Sequence, residues 1–208
     1  MIALNDSAQL VQQSARLAAT LLQPLPERWR HTSGVAHRAA ELALTVSPVD
    51  RGVLVAAAWL HDIGYALVVR DTGFHPVDGG RYLLRHGWDP RIAALVAHHS
   101  GARFVADHAG FGPLLELFGR EDGPVSDALS YADQTVGPWG RTMTIHDRIA
   151  DAVARHGPDS PIGRARADRV PYLLAVAHRV EHRRSSGPTE SLEHANSTPP
   201  PNGFTSSE

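Results

Sequence analysis

The sequence predicts an all-α protein built as one helical domain. Apolar residues recur at helical spacing along most of the chain, whereas no segment shows the sustained alternation of β-branched and polar residues that marks a strand. The chain has 208 residues, of which 42% are hydrophobic, enough for one buried core. We expect the domain over residues 1–184.

The first predicted helices build the apolar centre of the domain. The first carries apolar residues at helical spacing over residues 10–21 and ends at Pro24. The second runs from about residue 29 to residue 44. The third, residues 51–61, is apolar on nearly all sides. A helix of that kind is buried, so we expect it at the centre of the bundle.

Proline and glycine mark the later helices. Proline suits the first turn of a helix, so Pro76 and Pro90 each predict a helix start, and Gly101 can stop the second of these. Thr144 is a possible N-cap. A kink or break is expected at Pro171. The predicted helices are 77–85, 91–99, 114–118, 125–134, 145–155 and 161–183.

The last segment, residues 185–208, is expected to be a disordered tail. It is rich in Ser, Pro, Gly, Asn and Glu and has few large apolar residues. Such a segment cannot bury enough surface to offset the entropy cost of ordering.

Composition narrows the possible functions. The chain has 20 basic and 22 acidic residues, whereas polyanion binders have a basic excess, so no nucleic-acid polymer is expected as a partner. Cysteine is absent, which excludes thiolate metal sites and leaves His and carboxylates as ligands. There is neither a secretory signal nor an apolar run long enough to span a membrane. We therefore expect a cytoplasmic protein without membrane partners; its oligomeric state is left open.

Short segments place His or Asp at predicted helix ends. The adjacent pair His61-Asp62 closes the most apolar run of the chain. Burying both groups is costly without compensation, which a divalent cation would supply. Similar local settings recur before and after this pair, and the candidate ligands are His31, His61, Asp62, His75, His98, His99 and Asp133.

The chain has 13 histidines, and most are expected to be unrelated to this pattern. His37 follows His31 by six residues and points to a different side of the same helix. Surface positions are expected for His86, His108, His146, His156, His178, His182 and His194.

The ordered set of His and Asp residues resembles the HD-domain metal-dependent phosphohydrolase superfamily. The resemblance covers roughly residues 28–155 and includes Arg28-Trp29-Arg30-His31-Thr32, Leu60-His61-Asp62-Ile63-Gly64 and Tyr131-Ala132-Asp133. Within it, the chain resembles the bacterial symmetrical diadenosine tetraphosphate hydrolases, which share a His before a glycine-containing helix and the element His99-Ser100-Gly101. Residues 102–123 and the C-terminal helical region depart from that pattern.

The resemblance implies a fold, a metal site and a reaction. The fold is a helical HD-domain bundle. His31, His61, Asp62 and Asp133 match the ligands of the shared site, with Asp62 placed to bridge to a second ion. His75 and His99, joined by His98 in one interpretation, match the extra histidines of binuclear members. One or two divalent ions (Mn, Fe, Co, Ni, Zn or Mg) suit these ligands.

The implied reaction is cleavage of a phosphoester in a small nucleotide or related metabolite by a metal-activated water. Asp62 would hold the ions, and Arg148 or Arg141 could bind the phosphate, although either could instead be a solvated surface residue. Asp78 could orient a ligand histidine, cap its helix or face solvent.

The substrate pocket is expected to be shaped by residues 66–73 and 102–123. The aromatic residues in the second segment could stack on a base or belong to the core; they are Phe104, Phe111 and Phe118.

Two alternatives remain at this point. Some HD-domain members resemble this chain in ligand set but activate O₂ at a di-iron centre. The second alternative is a helical domain that binds a nucleotide or metal without catalysis and signals to a partner.

Overall fold

A computed structural model describes residues 4–186 and shows a bundle of α-helices. Within that range the sole β pairing is a single bridge between Val136 and Thr142. The helices are α1 Leu4–Leu22, α2 Pro26–Glu41, α3 Arg51–Leu60, α4 His75–Arg85, α5 Pro90–His98, α6 Ala102–Ala109, α7 Gly112–Leu115, α8 Pro124–Asp133, α9 Ile145–His156, α10 Pro161–Arg164 and α11 Arg166–Ser185. The all-α prediction is confirmed.

Helix α3 is the centre of the bundle, as its all-round apolar sequence predicts. It packs against α1, α2, α5 and α8. Its residues Leu54, Ala57 and Leu60 are completely buried. Alanines at 56–58 let the neighbouring helices approach closely, so the end of α3 lies deep inside the protein.

The helix starts follow the proline and cap signals. Pro76 and Pro90 lie in the first turns of α4 and α5, and the hydroxyl of Thr144 accepts a hydrogen bond from the backbone N–H of Asp147 at the start of α9.

Two features of the C-terminal half differ from the sequence prediction. Helix α6 was not predicted. The break expected at Pro171 falls instead at Ala165, and α11 continues through Pro171. Pro171 is exposed on α11, so the carbonyl that loses its helical hydrogen bond can bind water instead. Apart from its first two residues, the predicted tail lies outside the described residues.

One close backbone approach positions the site. A 3₁₀ turn, Ile63–Tyr65, follows α3 and lies against the start of α4. A Cβ atom at Gly64 would lie 2.0 Å from the carbonyl oxygen of His75, so only glycine fits there. Among the described helices none combines the length and apolarity that crossing a bilayer requires.

Candidate metal centre

All the predicted ligands except His98 meet at one place, although they come from separate elements of the fold. His31 lies on α2, whereas the others lie at helix ends, where the chain can turn a side chain inward. They are His61 and Asp62 after α3, His75 at the start of α4, His99 after α5 and Asp133 at the end of α8.

The first group of donors consists of His31, His61 and Asp133. Nε2 of His31 lies 3.0 Å from Oδ1 of Asp133 and 3.4 Å from Nε2 of His61. All three residues are buried, with at most 5% of their surface exposed. Two imidazoles and a carboxylate at this spacing form a ligand set that suits a divalent transition metal.

The second group consists of His61, Asp62 and His99, with His75 beside it. Nε2 of His75 lies 3.4 Å from Nε2 of His99 and 3.4 Å from Oδ1 of Asp62. The other oxygen of Asp62, Oδ2, lies 3.7 Å from Nε2 of His31 and 3.6 Å from Nε2 of His61. The carboxylate of Asp62 therefore has one oxygen facing each set of histidines.

Hydrogen bonds to backbone carbonyls fix which ring nitrogen is free. Nδ1 of His31 donates to the carbonyl of Gly137 (3.1 Å), and Nδ1 of His61 donates to that of Ala58 (2.8 Å). Nδ1 of His99 does the same toward Val96 (2.6 Å). A carbonyl can only accept, so Nδ1 carries the proton in each ring and Nε2 of a neutral imidazole presents a lone pair.

Those lone pairs point at other acceptors. In the neutral rings, the facing Nε2 atoms of His31 and His61 have no proton to share, and the one on His31 also faces a carboxylate oxygen. Acceptors held this close repel one another unless a cation lies among them. The donor geometry therefore fits a metal ion.

Burial and charge act together on the ionisable groups. Burial lowers the pKa of His61 to about 4, because the low-dielectric surroundings disfavour the imidazolium. Burial alone would raise the pKa of Asp62, but His61, Arg28 and the other histidines outweigh it and hold that pKa below its usual range. The close contact with His31 and the positive charges around it hold the pKa of Asp133 well below its usual range despite burial. The centre thus places the neutral imidazoles of His61 and His75 beside the ionised carboxylates of Asp62 and Asp133.

Arg28 and Tyr65 are site residues to which the sequence motifs assigned no role. Nη1 of Arg28 donates to Oδ2 of Asp62 at 2.9 Å, and its guanidinium lies 4.0 Å from the centre of the Tyr65 ring. Tyr65 stacks on His75 with ring centres 4.1 Å apart. Since Arg28 and His31 are three residues apart on one helix, their shared face was a signal available in the sequence.

Ser100 holds the other carboxylate. Its hydroxyl donates to Oδ2 of Asp133, and the side-chain amide of Gln134 donates to the same oxygen at 2.9 Å. The backbone N–H of Ser100 donates to the hydroxyl of Ser130 at 3.0 Å. Ser100 has a left-handed backbone (φ 52°, ψ 33°), which is strained for a residue other than glycine and is maintained by these contacts.

The structure does not bring His98 into the cluster. Helix α5 ends at His98, and the extended backbone of His99 (ψ 151°) sends the next ring toward the centre. Nε2 of His98 instead donates to the carbonyl of Phe118 at 3.0 Å. The interpretation in which His98 joins its neighbour as a ligand is therefore not supported.

Asp78 is buried and, among residues 4–186, forms no hydrogen bond to a ligand histidine. Its carboxylate is 1% exposed and accepts hydrogen bonds from the backbone N–H groups of Thr72 and Gly73 and from the Thr72 hydroxyl. It therefore fixes the loop that leads into α4, and so acts on His75 through the backbone.

A cavity of about 300 Å³ opens above the cluster. It is bordered by acidic and imidazole groups of the centre, by apolar side chains and by arginines; its lining includes Asp62, His75, His99, Asp133, Arg28, Arg148, Arg155, Arg169, Phe74, Val105, Phe111 and Ile162. Both segments predicted to shape the pocket, 66–73 and 102–123, contribute to it.

The two candidate phosphate-binding arginines differ in position. Arg148 lines the cavity and is buried; its Nε donates to the carbonyl of Val136 (3.0 Å) and its Nη1 to Asp151 (3.2 Å). Arg141 lies in a separate surface cavity beside Trp139. Of these two arginines, Arg148 is therefore the one placed to reach a ligand above the metal ligands.

The three aromatic residues considered as base-stacking candidates also differ in position. Phe111 stacks on Phe74 at the cavity wall, with ring centres 5.1 Å apart. Phe104 packs against Tyr172, and Phe118 is buried in a small apolar cluster. Of these three phenylalanines, Phe111 is the one that faces the cavity.

The histidines predicted to lie outside the ligand set are exposed wherever the structure describes them, but His156 also lines the cavity above the cluster. His37 is exposed and lies beside Glu41, 3.5 Å away. His194 lies outside the described residues. The remaining ones are all exposed: His86, His108, His146, His156, His178 and His182.

Chelator-treated protein is expected to lose stability as the pH falls from about 6.5 to about 4. The folded protein keeps His61 neutral down to a pKa of about 4, whereas an unfolded histidine titrates near 6.5. Between these values the unfolded state binds more protons, so the free energy of unfolding falls, by roughly 3 kcal/mol across the window. Urea unfolding at pH 7, 5.5 and 4.5 measures this, with the exposed-site variant His86→Gln as a control that keeps the same slope. A pH-independent midpoint would contradict it.

The comparison with known families agrees with this geometry. A sequence profile of the HD domain matches residues 28–153, a range that begins at Arg28 and contains every residue of the cluster as well as Arg148. No curated protein and no solved structure matches the chain. Since the profile covers more than half of the 208 residues, the chain belongs to the HD domain family.

Proposed function

We propose that this protein is a metal-dependent phosphohydrolase that acts on a small phosphorylated metabolite such as a nucleotide. The observation that carries the proposal is the convergence of imidazole and carboxylate donors at the base of an arginine-lined cavity. Membership of the HD domain family supports the same reaction class.

We further propose that the site holds two ions bridged by Asp62. The oxygens of this carboxylate face different histidine sets, with His31 and His61 on one side and His75 and His99 on the other. When bound, divalent ions at such a site supply a water of lowered pKa and an electrophile for phosphoryl oxygens.

The residues of the chain would orient the reactants. Arg28 keeps Asp62 ionised and fixed in orientation through their 2.9 Å hydrogen bond. Arg148 presents a buried cation to the cavity, where it would bind a phosphate oxygen of the substrate. Phe111 and Phe74 offer an apolar wall against which a base or another flat group could pack. These groups together suit a small molecule with a phosphate and an apolar part.

The test is metal analysis of untagged protein purified without chelators, followed by a panel of phosphomonoesters, phosphodiesters and nucleotides with the metal found. We expect bound transition metal and turnover of at least one phosphoester. Protein without metal, and without activity when Mn, Fe, Co or Ni is added, would contradict the proposal.

Two further readouts separate the alternatives. Oxygen consumption with a mixed-valence iron signal in electron paramagnetic resonance, in the absence of phosphoester cleavage, would identify an oxygenase instead. Tight nucleotide binding without turnover across the metals tested would identify a binding domain.

A further inference from the structure

Arg169 is a cavity residue that lies outside the part of the chain matched by the family profile. It lies on α11, whereas the profile ends at residue 153. Its Nε donates to the carbonyl of Ser100 at 3.0 Å, and its side chain lines the cavity above the metal ligands. The C-terminal helix thus contributes directly to the site.

Arg169 differs from the other arginines of the cavity in lacking an acidic partner. Arg28 is paired with Asp62, and both Arg148 and Arg155 are paired with Asp151. No carboxylate of residues 4–186 lies within ion-pair distance of Arg169. Among the cavity arginines in that range, Arg169 alone has no carboxylate within ion-pair distance.

The environment of Arg169 makes this charge costly. Burial lowers its pKa, and the nearby positive charge of Arg148 acts in the same direction, whereas Asp133 partly offsets them. A partly buried guanidinium without a counterion within ion-pair distance is unfavourable, and an anion in the cavity would remove that cost.

Arg169 is also connected to the metal ligands through the backbone. The carbonyl of Ser100 accepts from Arg169, and the hydroxyl of Ser100 donates to Asp133. The position of the guanidinium is therefore fixed relative to the carboxylate that belongs to the first donor group. A planar guanidinium held by its Nε still has its terminal N–H groups available for a bidentate contact.

We propose that Arg169 binds a phosphate group of the substrate and so contributes to the recognition of phosphorylated ligands by this pocket. The ligand class is a phosphorylated small molecule whose anionic group lies between Arg169 and the metal ligands. This proposal rests on the function proposed above. Arg148, held by Val136 and Asp151, is the neighbouring cation, but Arg169 supplies the charge that a bound phosphate neutralises.

The test compares Arg169→Met and Arg169→Lys with Arg166→Met, using the metal-loaded protein. Arg166 lies on the same helix but is exposed and lines a different surface cavity, so it is the matched control. The probe is inorganic phosphate, titrated calorimetrically at constant ionic strength. We expect Arg169→Met to weaken phosphate binding by about 10- to 100-fold, the usual effect of losing a charge-assisted contact. Arg169→Lys should recover part of the affinity, whereas Arg166→Met should bind as the wild type does.

Kinetics with a substrate from the phosphoester panel give a second readout. If Arg169 binds the phosphate equally in the ground state and the transition state, KM rises in Arg169→Met while kcat changes little. Thermal unfolding without ligand shows whether the loss of the Ser100 contact merely destabilises the fold. Such a destabilised protein with wild-type phosphate affinity and KM would overturn the proposal.

The two proposals fail in different ways. In one outcome, the wild type cleaves a phosphoester, and Arg169→Met has the same phosphate affinity and KM as Arg166→Met. That outcome would overturn the role of Arg169 but leave the proposed hydrolase intact. In the other outcome, phosphate binding depends on Arg169 but the protein cleaves no phosphoester. That outcome would overturn the proposed hydrolase function but support an anion-binding site at Arg169.

Discussion

Replacing Asp62 with alanine is expected to remove bound metal and hydrolytic activity together. Asp62 is 2% exposed, and its two oxygens face different sets of histidines, so its loss affects both donor groups. Changes to residues that merely orient a ligand typically cost 10–100-fold in metal affinity or activity. The loss of a shared ligand should exceed this, and we expect activity to fall by about 10³-fold or more.

Metal content measured after purification, together with the rate on the best phosphoester, checks this expectation. Asp62→Asn keeps the volume of the side chain but not its charge and should lose metal as well. The matched control is Asp127→Asn, which alters another buried carboxylate, one paired with Arg179 and Arg183 away from the cluster. That variant should be less stable yet retain metal and activity. If Asp62→Ala kept its metal and its rate, the proposed centre would be wrong.

Much of the fold could be predicted because its central helix is unambiguous in the sequence. The apolar run before His61 has no polar face, so α3 had to be buried. Helix α6 was missed although residues 102, 105, 106 and 109 have helical spacing. Three of these are alanines, whose small side chains give little apolar contrast with their neighbours. The continuity of α11 was missed because proline inside a helix predicts a break. Whether the helix tolerates Pro171 depends on its exposure to water, which is set by how α11 packs and is not visible in the sequence.

The candidate ligands could be predicted because they occur in a recognisable order, and all but His31 lie at helix ends. Which of His98 and His99 faces the centre could not, because it depends on the backbone angles where α5 ends. Arg169 could not be found either. It is far from Ser100 along the chain, and its lack of an acidic partner is visible only once α11 is packed against the turn at His99–Gly101.

The adjacent residues His98 and His99 provide the second prediction with a large expected effect. Replacing His99 with alanine is expected to remove about one metal ion per chain and to lower activity by at least about 100-fold. Its Nε2 lies 3.4 Å from Nε2 of His75 and 4.0 Å from Oδ1 of Asp62, so it belongs to the second donor group. The first donor group, with His31 and Asp133, stays complete in this variant. We therefore expect partial rather than total loss of metal.

His98→Ala is the matched control, because it removes the same side chain from the adjacent position. The ring of His98 contacts the carbonyl of Phe118 and no metal ligand, so this variant should keep the full metal content and most of the activity. Metal analysis and the rate on one phosphoester compare the two variants directly. Equal metal content in both would place a single ion at His31, His61 and Asp133 and would leave His99 outside the centre. Loss of all metal in His99→Ala would instead show that the two donor groups bind cooperatively, because Asp62 and His61 would then need both ions to stay in place.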